Sequence, residues 1–169
     1  MNSIRDDIMT FDFRESNSTI SSVLLSDIDT EYFDGYYADD DLEHLSKFRL
    51  PVFQRPAVWS MEQNIRLIEN IWRGIPIGSY SVNVGEFGGA NDMLLLDGQQ
   101  RIRAIILYVN DGFRVFGKLY SELSRKDYRF FSTAKFSKHE TRFSNEQDMR
   151  DYYNAMNFGG VNHTESQRA

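Results

Sequence analysis

Cysteine is absent from this chain, which excludes disulfides and thiolate-bound zinc. Histidine is scarce: His44, His139 and His163 are all there is, and no two lie close together. A histidine-based metal site with the usual ligand spacing is therefore not expected. No apolar run approaches the ~20 residues that a membrane-spanning helix needs. The segment from Met1 to Arg14 is mixed and acidic, unlike a leader, so a cytoplasmic protein without membrane contact is expected. Positive charge is also in short supply, with 19 Lys and Arg against 25 Asp and Glu and a net charge of −6. That argues against a broad basic surface for nucleic acid and leaves only a local groove. Repeats and low-complexity linkers are missing as well.

What is present suits a globular domain. A length of 169 residues, 41% of them hydrophobic and 14% aromatic, allows one domain with a proper core. Residues 1–47 read as an acidic and aromatic extension packed on that core. Within it Asp34, Asp39, Asp40 and Asp41 cluster around Tyr32, Phe33, Tyr36 and Tyr37. The alternative is an acidic surface that mimics a phosphate backbone, or an interaction arm.

Residues 48–169 carry the regular pattern. Phe48 to Phe53 reads as a short strand, with Pro51 marking an edge or bulge. Ser60 and Gln63 have capping-box spacing, and Met61, Ile65, Ile68 and Trp72 form a helical stripe that Gly74 and Pro76 end. Ser79 to Val84 alternates as a strand does, and Gly85, Gly88 and Gly89 make a loop. Met93 to Leu96 reads as a buried strand, followed by a helix burying Ile102, Ile105, Ile106 and Val109 and closed by Asp111-Gly112. Further on, a hairpin is expected around Gly117, a strand over Tyr128 to Phe136, and a helix opened by Ser144 and Gln147. The mixture predicts an α+β fold with a small mixed sheet and flanking helices.

The segment Asp97-Gly98-Gln99-Gln100-Arg101 lies between the buried strand and the helix after it. A helix N-terminus presents unpaired N–H groups to an anion. Glycine allows close backbone approach, the amides of Gln99 and Gln100 donate, and Arg101 can grip a phosphate with two parallel bonds. Asp97 would repel a phosphate, and so makes sense as a holder of Mg²⁺, a proton acceptor, or an orienter of Arg101. The plainer alternative is an N-cap Asp, a turn glycine and solvated polar residues. Gln54 and Arg55, at another expected strand end before Pro56 and Trp59, repeat the pairing of amide and guanidinium. Trp59 and Trp72 are expected to be core anchors.

These motifs in order resemble a known family. Phe53-Gln54-Arg55 with Trp59, the run Arg73-Gly74-Ile75-Pro76-Ile77-Gly78, and Leu95-Leu96-Asp97-Gly98-Gln99-Gln100-Arg101 leading to Ile102-Arg103-Ala104-Ile105 are similar to the GmrS-type domain. That domain is the N-terminal half of the GmrSD modification-dependent restriction enzymes, in the ParB/sulfiredoxin-like superfamily. The resemblance covers residues 45–110 and continues loosely to Asn157-Phe158-Gly159-Gly160. It implies a compact ParB/sulfiredoxin-like domain with a nucleotide-phosphate site. Asp97, Gln100 and Arg101 would be catalytic; Gln54, Arg55, Gly98, Gln99 and Arg101 would bind phosphate; Asp97 would hold Mg²⁺. Members of this family usually carry a nuclease-bearing region after this domain. This chain stops at Ala169 with no His-Asn-His-like set near its end, a form that by association fits a phage-related protein.

The expectation is an NTP-dependent phosphoryl-transfer enzyme, an NTPase or a kinase, acting on or near DNA that is ordinary or base-modified. Its cofactors would be NTP and Mg²⁺. One alternative is a non-catalytic nucleotide- or DNA-binding regulator or decoy. A weaker one is a ParB-like nuclease, for which Glu62, Glu69 and Asp92 are the available helpers of Asp97. Lys135, Lys138, His139 and Arg142, interleaved with Phe136 and Phe143, form the stretch where DNA contacts are sought, and Arg125, Lys126 and Arg129 extend it. The plainer reading of that stretch is a solvated strand edge or loop. Dimerisation fits the superfamily, although no heptad or patch argues for it.

Overall fold

A computed structural model describes residues 11, 13–24, 41–54, 56 and 58–158. The acidic span 30–40, Arg55 and Gly159-Gly160 lie outside the described residues. In chain order the elements are β1 (Phe13–Ser16), α1 (Ile20–Val23), β2 (His44–Leu45), β3 (Phe48–Arg49), α2 (Met61–Trp72), β4 (Ser79–Asn83), β5 (Leu94–Asp97) and α3 (Gln99–Val109). A 3-10 turn at Tyr120–Glu122, α4 (Arg125–Ser132), β6 (Ser137–Thr141) and α5 (Glu146–Phe158) follow. The fold is α+β, as expected.

The strands form one mixed sheet in the order β1-β6-β4-β5-β3-β2. β4 runs parallel to β6 and antiparallel to β5, and β5 runs parallel to β3. β5 shows why its first three residues, Leu94 to Leu96, are all apolar. Leu95 points into the larger core, with Tyr80, Val82, Ile68, Ile105 and Phe131. Leu94 and Leu96 point the other way, against Met149 and Tyr152 of α5. Both faces of the strand are covered, so the period-two signal of a half-buried strand disappears. Ile20 and Val23 of α1 are fully buried in the larger core.

α2 forms where its cap predicts. Ser60 Oγ accepts from the N–H of Gln63 at 3.3 Å, and Gln63 Oε1 accepts from the N–H of Ser60 at 2.8 Å. Its buried stripe is Leu67, Ile68 and Ile71, while Met61 is exposed. Gly74, with φ +70, turns the chain out after the helix. In α3, Ile102 and Ile105 are buried as expected, joined by Ala104 and Tyr108.

Four expectations are corrected. The strand begun at Phe48 stops at Arg49, and Val52 to Gln54 turn instead, since Pro51 has no N–H for a ladder. The hairpin around Gly117 reduces to one bridge, Val115 to Lys118, followed by the 3-10 turn. The strand over 128–136 is the helix α4: Ser124 Oγ caps the N–H of Asp127 at 3.2 Å, and Phe131 buries on the inner face. The strand lies just beyond, at Ser137–Thr141, in a polar run with no apolar alternation. It is an interior strand, held by β4 on one side and β1 on the other. α5 is capped by Asn145 rather than Ser144, because Asn145 Oδ1 accepts from the N–H of Asp148 at 2.9 Å.

Candidate functional site

β5 ends at Asp97 and α3 begins at Gln99, with Gly98 as the cap residue between them. Gly98 has φ +96, and a Cβ placed on it would lie 2.6 Å from the Cβ of Tyr80. Conformation and space both demand glycine. The cap therefore supplies no side-chain acceptor to the first turn of α3, which carries the positive end of the helix dipole.

Asp97 is not the cap. Its Oδ2 accepts from Arg101 Nη2 at 2.8 Å, and the same nitrogen donates to the Ser79 carbonyl at 2.6 Å. The two side chains are only 17% and 25% exposed, so water screens the pair weakly. The guanidinium is thus oriented from two directions, while its buried Nε has no acceptor. Behind Asp97, the Tyr152 hydroxyl bonds Ser81 Oγ at 2.9 Å. Burial raises the Tyr152 pKa against the opposing effect of that bond, and the Asp97 charge adds to the rise.

The glutamines divide their work. Gln100 Oε1 accepts from the N–H groups of Val58 and Trp59 at 3.2 and 3.4 Å, and its Nε2 donates to the Pro56 carbonyl at 3.3 Å. It holds the 56–59 segment against α3. Gln54 Nε2 donates to the Leu95 carbonyl, which ties its turn to β5. Gln99 is buried.

Together Gln54, Asp97, Gly98, Gln99, Gln100 and Arg101 line one cavity of about 150 Å³. The structure thus brings the two sequence constellations to one place, apart from Arg55, which is outside the described residues. Trp59, Tyr153 and Asn157 complete the lining. Trp59 also packs on the larger core, so anchor and wall are one residue. Tyr153 escaped the sequence reading because it sits in a helical apolar stripe like any core residue; its ring packs edge-on against Phe53 at 5.6 Å. Asn157 had one signal, its place before the paired glycines.

Other named residues lie elsewhere. Lys138 and Arg142 both pair with Glu140, at 3.0 and 3.2 Å. Lys135 and His139 line a separate cleft. Arg125 and Lys126 open α4, and Arg129 lies in its last turn. Glu62 and Glu69 pair with Arg66 and Arg73 along α2, and Asp92 accepts from the N–H groups of Gly85 and Gly88. Among the described residues no three His, Cys, Asp or Glu gather in a way that could hold a metal ion. At the cavity the available donor set for Mg²⁺ is one carboxylate; Asp97 Oδ1 accepts no hydrogen bond among the described residues. That fits an ion held by a single carboxylate and the phosphates of a substrate.

A family model for the N-terminal domain of the GmrSD restriction endonuclease matches residues 37–167. The chain belongs to this family. The match spans every element from β2 to α5 and so contains the whole cavity. No curated protein and no solved structure gives a match. Among the described residues no helix is long and apolar enough to cross a membrane.

Proposed function

We propose that this chain binds a nucleoside triphosphate through the turn 97–101 and transfers its terminal phosphoryl group to water or to a hydroxyl, in a restriction-related role on DNA. Family membership supports the DNA setting; DNA carrying modified bases is the substrate we would try first. The observation that carries the chemistry is the Asp97–Arg101 pair at a glycine-capped helix start, inside a cavity of phosphate size.

Arg101 is pre-oriented by Ser79 and Asp97, so its guanidinium pairs with phosphate oxygens without reorganising. The first-turn amides of α3 add fixed dipoles of the right sign. Asp97 Oδ1 takes the proton as the attacking oxygen forms its bond to the terminal phosphorus and the bridging P–O bond to the next phosphate breaks, with the nucleoside diphosphate leaving. Where Asp97 Oδ1 holds Mg²⁺ instead, the ion would offset phosphate charge and the proton would pass to solvent, since Oδ2 is taken by Arg101. Gln54 and Gln100 support the walls, and we assign Gln100 a positioning role, given its three bonds to 56–59.

One observation favours a second reading, binding without turnover: among the described residues, the one carboxylate that lines the cavity is already paired with Arg101. The experiment that separates the two is incubation of the pure protein with Mg²⁺ and each labelled NTP, with and without DNA bearing ordinary or modified bases. Released phosphate supports hydrolysis, label on DNA supports a kinase, and bound but intact nucleotide supports the second reading. Arg101→Ala should lower turnover by about 100-fold or more. Full activity in both Asp97→Asn and Arg101→Ala would remove the site assignment.

A further inference from the structure

A second, larger cleft of about 660 Å³ opens at the N-terminal ends of the parallel strands β4 and β6. Its walls are apolar: Ile71, Ile75, Ile77 and Phe130. Phe130 lies stacked on Trp72, with ring centroids 5.6 Å apart and planes 13° apart, yet keeps 49% of its surface exposed. Its polar groups are concentrated on one side. Glu15 and His139 are register partners across β1 and β6, and Ser137 and Lys135 stand beside them. The His139 imidazole rests against Phe13 at 4.7 Å, and its buried Nδ1 has no partner. Among the described residues no ion pair occupies Glu15 or Lys135. A slot with an exposed aromatic ring, aliphatic walls and an edge holding a carboxylate, an imidazole, a hydroxyl and an ammonium suits a flat, polar heteroaromatic.

The position of the cleft identifies the ligand further. Gly78 and Ser79 line it, and Ser79 is the residue whose carbonyl receives Arg101 at 2.6 Å. A Cβ on Gly78 would be 3.8 Å from Arg101 Nη1, so only this bare stretch of backbone separates the cleft from the phosphate-binding guanidinium. The cavity at Arg101, about 150 Å³, equals roughly five waters at ~30 Å³ each. Small-molecule sites run to about 300–1,000 Å³; the larger cleft fits that range and the smaller cavity does not. A groove between α2 and α3 also adjoins the small cavity through Trp59 and Gln100, but Gln100 closes that side by its bonds to 56–59.

We infer that the cleft between Phe130 and His139 is the nucleobase subsite of a free nucleotide whose phosphates reach Arg101. The base lies against Phe130 and Ile75, and His139, Ser137, Lys135 and Glu15 read its edge. This inference rests on the phosphate reading of the turn 97–101.

The test is calorimetric titration of the pure chain with free nucleosides, the matching triphosphates and tripolyphosphate, with Trp72 emission as a second readout through its stacked neighbour. One nucleoside should bind in preference to the others. Phe130→Ala and Ile75→Trp, both at exposed positions and checked for unchanged thermal unfolding, should weaken nucleoside and triphosphate binding about tenfold. They should leave tripolyphosphate binding within twofold. Arg101→Ala should do the reverse, losing tripolyphosphate and keeping the nucleoside. If the cleft variants bind triphosphate as the parent does, the base subsite is wrong and the phosphate site stands. If nucleosides bind but tripolyphosphate does not, the phosphate reading fails and the cleft stands. Binding of an unpaired base in a DNA strand, with no binding of any free nucleoside, would overturn the inference in favour of a strand-derived base.

Discussion

Gly98 is constrained by both its backbone and its neighbours. A replacement must hold φ +96 and clear Tyr80 Cβ from 2.6 Å. Gly98→Ala should therefore cost about 2 kcal/mol or more, read as a fall in the urea midpoint. Gly78 makes the control, since it shares a positive φ of +84 but its nearest neighbours would be 3.8 and 3.9 Å away. Gly78→Ala should cost only the backbone term, about 1–2 kcal/mol. Asn83 is the second demanding residue. Its buried amide accepts from Thr141 Oγ1 and the Phe143 N–H at 2.9 and 2.7 Å, and donates to the carbonyls of Asn91 and Phe143 at 2.8 and 3.1 Å. Asn83→Ala strands several of these groups and should cost about 2–4 kcal/mol in the same titration.

The elements that the sequence declares are those with local punctuation. α2 has its cap, its stripe and its stop in consecutive residues, and the structure forms the helix between that cap and that stop, with the buried stripe shifted to Leu67, Ile68 and Ile71 and Met61 exposed. β5 and α3 follow from an apolar run, a glycine and a second stripe. Where the deciding partner is distant, reading fails. Ser137 to Thr141 carries no strand signal of its own, and becomes an interior strand because β1 and β4 offer it ladders from both sides. Tyr128 to Phe136 is rich in aromatics that suit a strand, but the Ser124 cap and the single inner Phe131 win. At the site the same division holds. The turn 97–101 was legible from its contiguous residues, whereas Tyr153 reaches the cavity only through the docking of α5. The caps allow a test at this scale. Asn145→Ala and Ser60→Ala should each cost about 1 kcal/mol in thermal unfolding. Ser144→Ala should change stability by less than about 0.5 kcal/mol; a larger loss there would restore Ser144 as the cap.

For the whole molecule, ionisation narrows the stable range from both sides. Glu140 is held below its ordinary value of 4.5, first by the hydrogen bond from Lys138, against desolvation, with Lys138 and Arg142 charges adding. Because the unfolded chain takes up this proton first, the stabilisation is complete above the ordinary value and disappears as pH falls through the folded one. Glu122 and Asp111 are lowered as well, by hydrogen bonds from Arg114 and Ser121 respectively. Denaturant midpoints should fall on acidification below about pH 4.5, and Glu140→Gln should flatten that fall. At the alkaline end burial pushes Tyr120 up to about 12, with Tyr128 and Tyr108 adding to the rise. The unfolded chain then loses this proton near pH ~10, before the folded one does. Stability should decline from there toward about 12, while absorbance at tyrosinate wavelengths lags behind that of the denatured chain.

The lining of the small cavity also has a timing. Asp97 leaves the ribosome 157 − 97 = 60 residues before Asn157, an interval of about 3–12 seconds at the usual pace of synthesis. Through that interval α5 is missing, so Leu94 and Leu96 stand wet on one side of β5 and the cavity lacks its Tyr153 wall. A nascent chain of this protein passes through a state that is half cored and without a site, greasy on one sheet face. During those seconds it is a client for whatever shields apolar surface at the tunnel exit, and the cavity at Arg101 gains its last wall when α5 closes over the sheet.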